Sequence, residues 1–198
     1  MCGIAGIASV RRPDAALVRR MCDSLVHRGP DGFGLHEDDG AAVGMRRLAI
    51  VDVAGSQQPV YDEDRTVAAV FNGELYNFRE LREGLRRRGH RLAVIRSACC
   101  ICTRTTGTIW CTRLLLARDR VGKKPLYWRE DGMSLAFGSE LKALVADPAL
   151  HRRIDPVALH HYLTYQYVPA PWSIYQDVQK LPPGHLLACS PGRTGPPR

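Results

Sequence analysis

The first fifty residues pass from a continuous apolar run to an amphipathic pattern. Residues Cys2 to Val10 are small and apolar with β-branched members, which predicts a buried first strand. Apolar residues then recur at helical spacing from Leu17 to Leu25, which predicts an amphipathic helix over residues 14–27. The turn formers of residues 28–32 are expected to end this helix.

Further along, the pattern predicts short strands and three more helices. Strands are expected over residues 41–44, 47–51, 67–71, 114–118, 126–128 and 135–138. Helices are expected over residues 78–88, 141–145 and 156–165. Because the strands come in runs between helices, the order favours a layered α+β fold over a doubly wound parallel sheet. The Pro/Gly-rich residues 189–198 are expected to form a disordered tail.

Composition limits the classes of protein and of partner. With 198 residues and 45% hydrophobic content, the chain can bury one sizeable core. No stretch approaches the roughly 20 apolar residues of a membrane span, and no secretory signal is present, so we expect a cytoplasmic protein without a membrane partner. The 28 basic residues exceed the 20 acidic ones. No aromatic-interleaved basic motif accompanies this excess, so no nucleic-acid partner is expected.

Seven cysteines are present, and four of them crowd into one short segment. They are Cys99, Cys100, Cys102 and Cys111. A disulfide framework is not expected in a chain without a secretory signal. Zinc sites favour two pairs spaced C-x2–4-C, which this cluster does not offer, so no metal site is expected. A metal- or redox-responsive module remains the alternative for this segment.

Cys2 stands directly behind the initiator methionine. An isolated cysteine is usually a small core residue. Removal of Met1 would, however, leave a thiol and a free α-amine on one residue. An α-amine titrates at about 7.7–8.0, so it can exchange a proton with the thiol at neutral pH without a histidine. Gly3 places no side chain beside the thiol, and the arrangement suits attack on an amide carbonyl.

Such an attack needs donors for the oxyanion and a cation for a substrate carboxylate. The Asn72 side-chain amide and the Gly73 N–H could converge on one oxygen, although an ordinary Asn-Gly turn has the same local sequence. Arg46 and Arg47 offer a guanidinium fork for a carboxylate. A solvated arginine pair at a strand is the alternative there.

Seven segments together resemble one family. They are MCGIAGI (1–7), LVHRGPDG (25–32), RRLAIVD (46–52), VFNGELYN (70–77), RDRVGKKPLY (118–127), FGSELKAL (137–144) and LPPGH (181–185). Over residues 1–95 and 114–188 the chain resembles the class II glutamine amidotransferases. The set of motifs is similar to the N-terminal glutaminase domain of the glutamine-hydrolysing asparagine synthetases.

The resemblance implies a fold, a domain and a set of site residues. The fold is the N-terminal-nucleophile hydrolase sandwich, α+β with four αββα layers, here expected to be incomplete, and the domain spans residues 1–188. Cys2 is implied as the nucleophile, and Asn72 with Gly73 as the oxyanion hole. Arg47 is implied as the ligand of the glutamine α-carboxylate. The rest of the pocket is implied to be lined by Leu48, Ile50, Val51 and Glu74.

The resemblance also implies a reaction with two parts. This domain would hydrolyse glutamine to glutamate and ammonia, and a synthetase domain or subunit would use the ammonia to amidate aspartate. ATP and Mg²⁺ belong to that synthetase part, so no cofactor is expected in this chain. The Ser-Gly-Gly-x-Asp-Ser loop of the synthetase part does not occur here, and that domain is expected to be absent.

The chain departs from the family in one internal segment. Ser97-Ala98 stands where the family has a Ser-Asp pair whose aspartate binds the glutamine α-amine. Residues 98–113 do not resemble the family, and a shifted reading frame over 93–112 would restore the Ser-Asp pair and an acidic helix. A Phe/Ala-rich strand is expected to be missing before Leu114. An inactive remnant or a non-catalytic glutamine-binding module is therefore the alternative function.

Overall fold

The computed structural model describes residues 1–50, 57–91, 114–190 and 193–194. Its helices are α1 (Ala15–Asp23), α2 (Phe78–Arg87), α3 (Leu141–Val145) and α4 (Pro156–Tyr165). A short 3-10 helix spans Val26–Arg28. The strands are β1 (Gly3–Ser9), β2 (Gly32–Glu37), β3 (Ala41–Arg47), β4 (Val60–Tyr61), β5 (Ala68–Ala69), β6 (Leu114–Ala117), β7 (Tyr127–Glu130), β8 (Ser134–Gly138), β9 (Gln179–Lys180), β10 (Leu186–Ser190) and β11 (Arg193–Thr194).

Six of these strands form one sheet, in the order β2-β3-β1-β8-β7-β9. All of its pairings are antiparallel. The first strand lies in the middle, with Gly3 opposite Arg46 on one side and Ala5 opposite Gly138 on the other. A smaller sheet has the order β11-β10-β6, and β4 pairs with β5. The start of the chain is therefore held between two long neighbours.

Two apolar cores lie on opposite faces of the six-stranded sheet. On one face, Leu17 and Met21 of α1 and Leu144 of α3 pack over the sheet. On the other face, Phe137 of the large sheet packs with Leu187 of the small sheet. The large sheet therefore lies between a helical layer and the second sheet, and the predicted layered α+β fold is confirmed.

The strands β2 and β3 differ from the sequence expectation, and the short strands β4 and β9 were not predicted. The predicted strands 41–44 and 47–51 are one strand, β3, and the backbone leaves the sheet after Arg47. Val51 lies outside the described residues. Strand β2 was not predicted, because two of its six residues are glycines and it follows directly on the turn formers of residues 28–32. Its apolar residues Phe33 and Leu35, at alternate positions, pack against the helix-side core.

The chain end also differs from the expected tail beginning at residue 189. Strand β10 continues through Ser190, and Cys189 pairs with Leu114 on one side and Thr194 on the other. Paired backbone groups on both sides hold Cys189 in the small sheet. Residues 191, 192 and 195–198, and the whole atypical segment 98–113, lie outside the described residues. Within the described part of the chain, no helix has the length and apolar character needed to cross a membrane.

Candidate active site

The thiol of Cys2 lies against the backbone where the chain leaves β3. Its Sγ accepts a hydrogen bond from the Leu48 N–H at 3.4 Å and lies 3.8 Å from the Leu48 carbonyl oxygen. The register of β1 against β3 explains this position, since Gly3 pairs with Arg46. The predicted nucleophile and the predicted pocket segment are therefore adjacent.

A buried arginine fixes the backbone of the nucleophile. Arg28 donates from Nε to the Cys2 carbonyl oxygen at 3.0 Å, and from Nη1 to Glu140 Oε1 at 2.8 Å. Its Nη2 is buried and has no hydrogen-bond partner among the described residues. Arg28 belongs to the LVHRGPDG motif, but the sequence did not predict it as a site residue. A basic residue between a histidine and a glycine gave no signal of this contact.

Glu140 is the charged partner of that arginine. Burial raises the pKa of its carboxyl, but hydrogen bonds from Arg28, His27 and Lys142 outweigh burial and bring the pKa to about 2. The His27 Nε2 lies 3.1 Å from Glu140 Oε1, and the Lys142 Nζ lies 3.3 Å from Oε2. Glu140 is therefore ionised at neutral pH and cannot act as a general acid there.

The HRGPDG turn supports the segment that contacts the thiol. A Cβ on Gly29 would lie 2.4 Å from the Arg46 carbonyl oxygen, so only glycine allows the turn to approach β3 this closely. The Asp31 N–H donates to the Arg47 carbonyl oxygen at 3.0 Å. The Asp31 carboxylate accepts from the Ala49 N–H at 2.8 Å. The turn thus fixes the backbone on both sides of Leu48.

The other predicted pocket residues after β3 differ in exposure. Arg47 is buried at the end of the strand, opposite Gly32 of β2. Leu48 is half-buried, whereas Ile50 is well exposed. Val51 lies outside the described residues. Of the predicted pocket residues at the end of β3, Arg47 and Leu48 are thus the ones that the structure brings next to Cys2.

Gly3 has a packing role in addition to the open approach predicted for it. A Cβ at this position would lie 2.9 Å from the Cβ of Leu25, which is fully buried. Since real Cβ atoms do not approach so closely, the helix-side core excludes a side chain beside Cys2.

The predicted oxyanion residues line a cavity of about 730 Å³, together with Glu74. Asn72 and Gly73 are half-buried, and the large sheet contributes Ile4 and Ser139 to the cavity wall. The Ile4 N–H donates to Ser139 Oγ at 3.0 Å, and the Ser139 N–H donates to the Ile4 carbonyl oxygen at 2.9 Å. The loop therefore shares a cavity with a residue two positions from the nucleophile. Among the described residues, no hydrogen bond joins the Cys2 thiol to Asn72 or Gly73.

A buried glutamine positions this loop. Gln58 accepts from the Phe71 N–H at 2.6 Å and donates to the Phe71 carbonyl oxygen at 3.1 Å. A Cβ on Gly34 would lie 1.7 Å from the Gln58 carbonyl oxygen, so β2 admits Gln58 only because residue 34 is glycine. Gln58 was not predicted as a site residue, because it belongs to a polar run that is typical of a loop.

The thiols of the described residues differ in environment. Burial raises the pKa of Cys22 to about 12, so this thiol is protonated and unreactive at neutral pH. Cys2 and Cys189 are half-buried. No group of three or more His, Cys, Asp or Glu side chains in the described ranges is placed to hold a metal ion. The cluster of Cys99, Cys100, Cys102 and Cys111 falls outside those ranges.

Comparisons with known proteins agree on one family. The glutamine amidotransferase domain family matches residues 1–99 and 109–196. Asparagine synthetase [glutamine-hydrolyzing] 1 of Bacillus subtilis is 35% identical over 216 positions, covering 96% of this chain and 34% of that protein. Asparagine synthetase [glutamine-hydrolyzing] 3 of Arabidopsis thaliana is 34% identical, covering 74% of this chain and 29% of that protein. The chain spans about a third of the length of such relatives.

A solved structure has the same fold. Glutamine phosphoribosylpyrophosphate amidotransferase from B. subtilis, complexed with ADP and GMP, superimposes with a TM-score of 0.60 at 15% identity. The match covers 100% of this chain and 49% of that one. At this identity the likeness concerns the fold, and it confirms the α+β N-terminal-nucleophile architecture.

The matches also show where the chain departs from its relatives. The family match leaves out residues 100–108, which lie inside the segment 98–113 that was predicted to be atypical. The B. subtilis alignment is longer than the 198 residues of this chain, so the relative contains residues with no counterpart here. The shifted reading frame and the missing strand before Leu114 stay predictions. The chain belongs to the glutamine amidotransferase domains, and within them it is homologous to the amidotransferase part of the glutamine-hydrolysing asparagine synthetases.

Proposed function

We propose that this chain hydrolyses glutamine to glutamate and ammonia, and that a synthetase part uses the ammonia to amidate aspartate. The observation that supports the proposal is the position of the Cys2 thiol. It lies at the Leu48 N–H, 3.4 Å away, next to the buried Arg47. A nucleophile and a cation for the substrate carboxylate thus come from adjacent strands.

Removal of Met1 precedes the reaction and frees the α-amine of Cys2. This amine takes the thiol proton as Sγ attacks the side-chain amide carbon of glutamine. The resulting C–S bond gives a tetrahedral oxyanion. Collapse of that species breaks the C–N bond, the amine returns its proton to the leaving nitrogen, and ammonia departs. Water then attacks the thioester, releases glutamate and restores the thiol.

The oxyanion needs donors about 2.7–3.1 Å from its oxygen. We assign this role to the Asn72 side-chain amide and the Gly73 N–H, which line the cavity beside Ile4 and Ser139. Arg47 is assigned to the α-carboxylate of glutamine. Leu48, Ile50, Val51 and Glu74 are assigned to the remaining contacts.

The chemistry of this chain requires no cofactor. The proposed hydrolysis uses only the thiol and the α-amine of Cys2, donors for the oxyanion and water. ATP and Mg²⁺ are assigned to the synthetase part, where they would activate aspartate.

A weakened or inactive site is a second candidate, and one sequence feature favours it. Ala98 stands at the position where the family binds the substrate α-amine with an aspartate, and the adjacent residues 100–108 do not match the family. The α-amine of bound glutamine would then lack its carboxylate partner. Such a domain would retain the Cys2 geometry and bind glutamine weakly.

A glutamine-mimicking diazoketone tests the proposal. The reagent should label Cys2, and Cys2→Ala should abolish both the labelling and glutamate release. The buried Cys22, with its pKa raised to about 12, is the internal control and should remain unlabelled. Labelling of Cys189 or Cys22 in place of Cys2, located by mass spectrometry, would contradict the assignment. Labelling of Cys2 without glutamate release would favour the inactive remnant.

A further inference from the structure

One segment of the chain carries no charged side chain. Residues 156–176 contain no Asp, Glu, Lys or Arg, although these types make up 24% of the whole chain. Asp155 and Asp177 stand on either side of the segment. A stretch of this length without charge is usual in a protein interior and unusual on a surface.

This uncharged segment is nevertheless at the surface. Every residue of α4 except Ala158 and His161 is exposed, and Leu163 is 74% exposed. A helix that is apolar around most of its circumference is normally buried. Six of the exposed apolar and aromatic side chains of this segment define what we call the aromatic surface: Val157, Tyr162, Leu163, Tyr165, Tyr167 and Trp172.

Backbone and ring contacts hold part of the aromatic surface in place. Asp155 caps α4 by accepting from the Val157 and Ala158 N–H groups at 2.8 and 3.3 Å. The ring of His161 lies 4.9 Å from that of Trp172 and 5.9 Å from that of Tyr165. The Nδ1 of His161 is buried and has no hydrogen-bond partner among the described residues. Aromatic side chains fixed in this way bind a partner at low cost in conformational entropy.

The aromatic surface is attached to the sheet that holds the nucleophile. Trp172 forms a bridge with Gln179 of β9, and β9 pairs with β7. Strand β7 pairs with β8, which lies beside β1. A partner bound to the aromatic surface would therefore be held in a fixed position relative to Cys2.

We propose that the aromatic surface is the docking face for the ammonia-using synthetase part, an inference that rests on the proposed function. About two thirds of the length of relatives such as the B. subtilis protein lies outside the part matched here, and we expect this additional polypeptide to pack on an apolar face of the amidotransferase part. An aromatic face that has no charged side chains of its own fits an apolar protein face better than nucleic acid, whose phosphates bind cations. Exposed apolar patches of this kind mark protein interfaces.

The test uses the full chain and the remaining two thirds of the B. subtilis asparagine synthetase 1, purified without its own amidotransferase part. Binding is measured by sedimentation velocity, with ammonia-dependent asparagine formation as proof that the probe is folded. We expect the chain to bind, and the double variant Tyr162→Lys/Leu163→Lys to bind at least tenfold more weakly. Met133→Lys is the matched control, because Met133 is 50% exposed and Tyr162 51%, and it should bind as the parent chain does.

Hydroxyl-radical footprinting gives a second measurement that does not depend on a variant folding. Oxidation of Tyr162, Tyr165 and Trp172 should fall several-fold when the probe is added, and oxidation of Met133 should not change. No binding of a probe that is active with ammonia would overturn the proposal. So would a dimer of this chain that Leu163→Lys dissociates, since the occupant would then be a second copy. Glutamate release without the probe is measured separately, so loss of the proposed activity is distinguishable from loss of docking.

Discussion

Gln58 holds Phe71 by both of its backbone polar groups, accepting from the N–H at 2.6 Å and donating to the carbonyl oxygen at 3.1 Å. Because Asn72 and Gly73 follow Phe71 directly, this buried side chain sets the position of both proposed oxyanion donors. A donor displaced by a fraction of an ångström stabilises the oxyanion less, so Gln58 is a positioning residue in the proposed mechanism.

Replacing Gln58 with methionine should therefore lower kcat for glutamine hydrolysis. Methionine keeps the approximate length of the side chain and removes both hydrogen bonds. Loss of a whole oxyanion donor costs about 10²–10³ in kcat, so a mispositioned loop should cost about ten- to a hundredfold. The fall in kcat is measured from steady-state glutamate release. KM should change less than kcat, because the variant leaves the proposed contact between Arg47 and the glutamine α-carboxylate unchanged.

The neighbouring Gln57 supplies the matched control. It is exposed, and Gln57→Met should leave kcat near the parent value. Diazoketone labelling of Cys2 should survive in both variants, which separates a displaced loop from an unfolded domain. An unchanged kcat in Gln58→Met would remove Gln58 from the mechanism.

Gly29→Ala and Gly84→Ala are a second test variant and its control. A methyl group at Gly29 would lie 2.4 Å from the Arg46 backbone, whereas nothing lies within 4 Å of one at Gly84 in α2. Gly29→Ala should lower the free energy of unfolding by about 1–3 kcal/mol or more through overpacking. Gly84→Ala should raise it by about 0.5–1 kcal/mol, because alanine favours a helix interior. Urea unfolding followed by circular dichroism measures both values, and equal midpoints for the two variants would contradict the tight approach of the turn to β3.

The ion pair beneath Cys2 predicts a specific pH dependence. Hydrogen bonds from Arg28, His27 and Lys142 outweigh burial and bring the pKa of Glu140 from 4.5 to about 2. A depressed folded-state pKa means that ionised Glu140 stabilises the fold above pH 4.5, and that this contribution is lost as the pH falls toward 2. The contribution is at most about 3 kcal/mol, because water partly screens a carboxylate that is 27% exposed.

Comparison with Glu140→Gln isolates this carboxylate from the others that titrate in acid. The difference in free energy of unfolding between the parent chain and the variant should be largest near pH 6. It should shrink steadily from pH 4.5 downward. Glu80→Gln, which removes an exposed carboxylate from the first turn of α2, is the control for the loss of one negative charge. A parent–Glu140→Gln difference that stays constant to pH 2.5 would show that Glu140 is not held by Arg28.

The sequence predicted several strands because they depend on local pattern. The assignment of Cys2 as the nucleophile, which stays a prediction, rests on a local signal of the same kind. Cys2 is marked by its place behind Met1, and β1 by its apolar run. Gln58 and Arg28 carried no such signal, since their contacts to Phe71 and to the Cys2 carbonyl join residues that are distant along the chain. The end of β3 at Arg47 was missed for a similar reason. The turn at Gly29 and Asp31 redirects the chain there, and no local propensity shows it.

Restoring an aspartate at position 98, which lies outside the described residues, tests what the family resemblance implies for substrate binding. Ala98→Asp would return a carboxylate for the glutamine α-amine. A hydrogen bond between charged groups contributes roughly 1.5–3 kcal/mol, and each 1.4 kcal/mol is tenfold in affinity. Glutamine should therefore bind about ten- to a hundredfold more tightly to the variant, as measured by calorimetry or by protection of Cys2 from the diazoketone.

The control is Ser97→Asp, one position away, which should give little gain in glutamine affinity if position 98 matches the family. Unchanged affinity in Ala98→Asp would mean that residue 98 does not reach the glutamine pocket, and an equal gain in both variants would point to added negative charge as the cause.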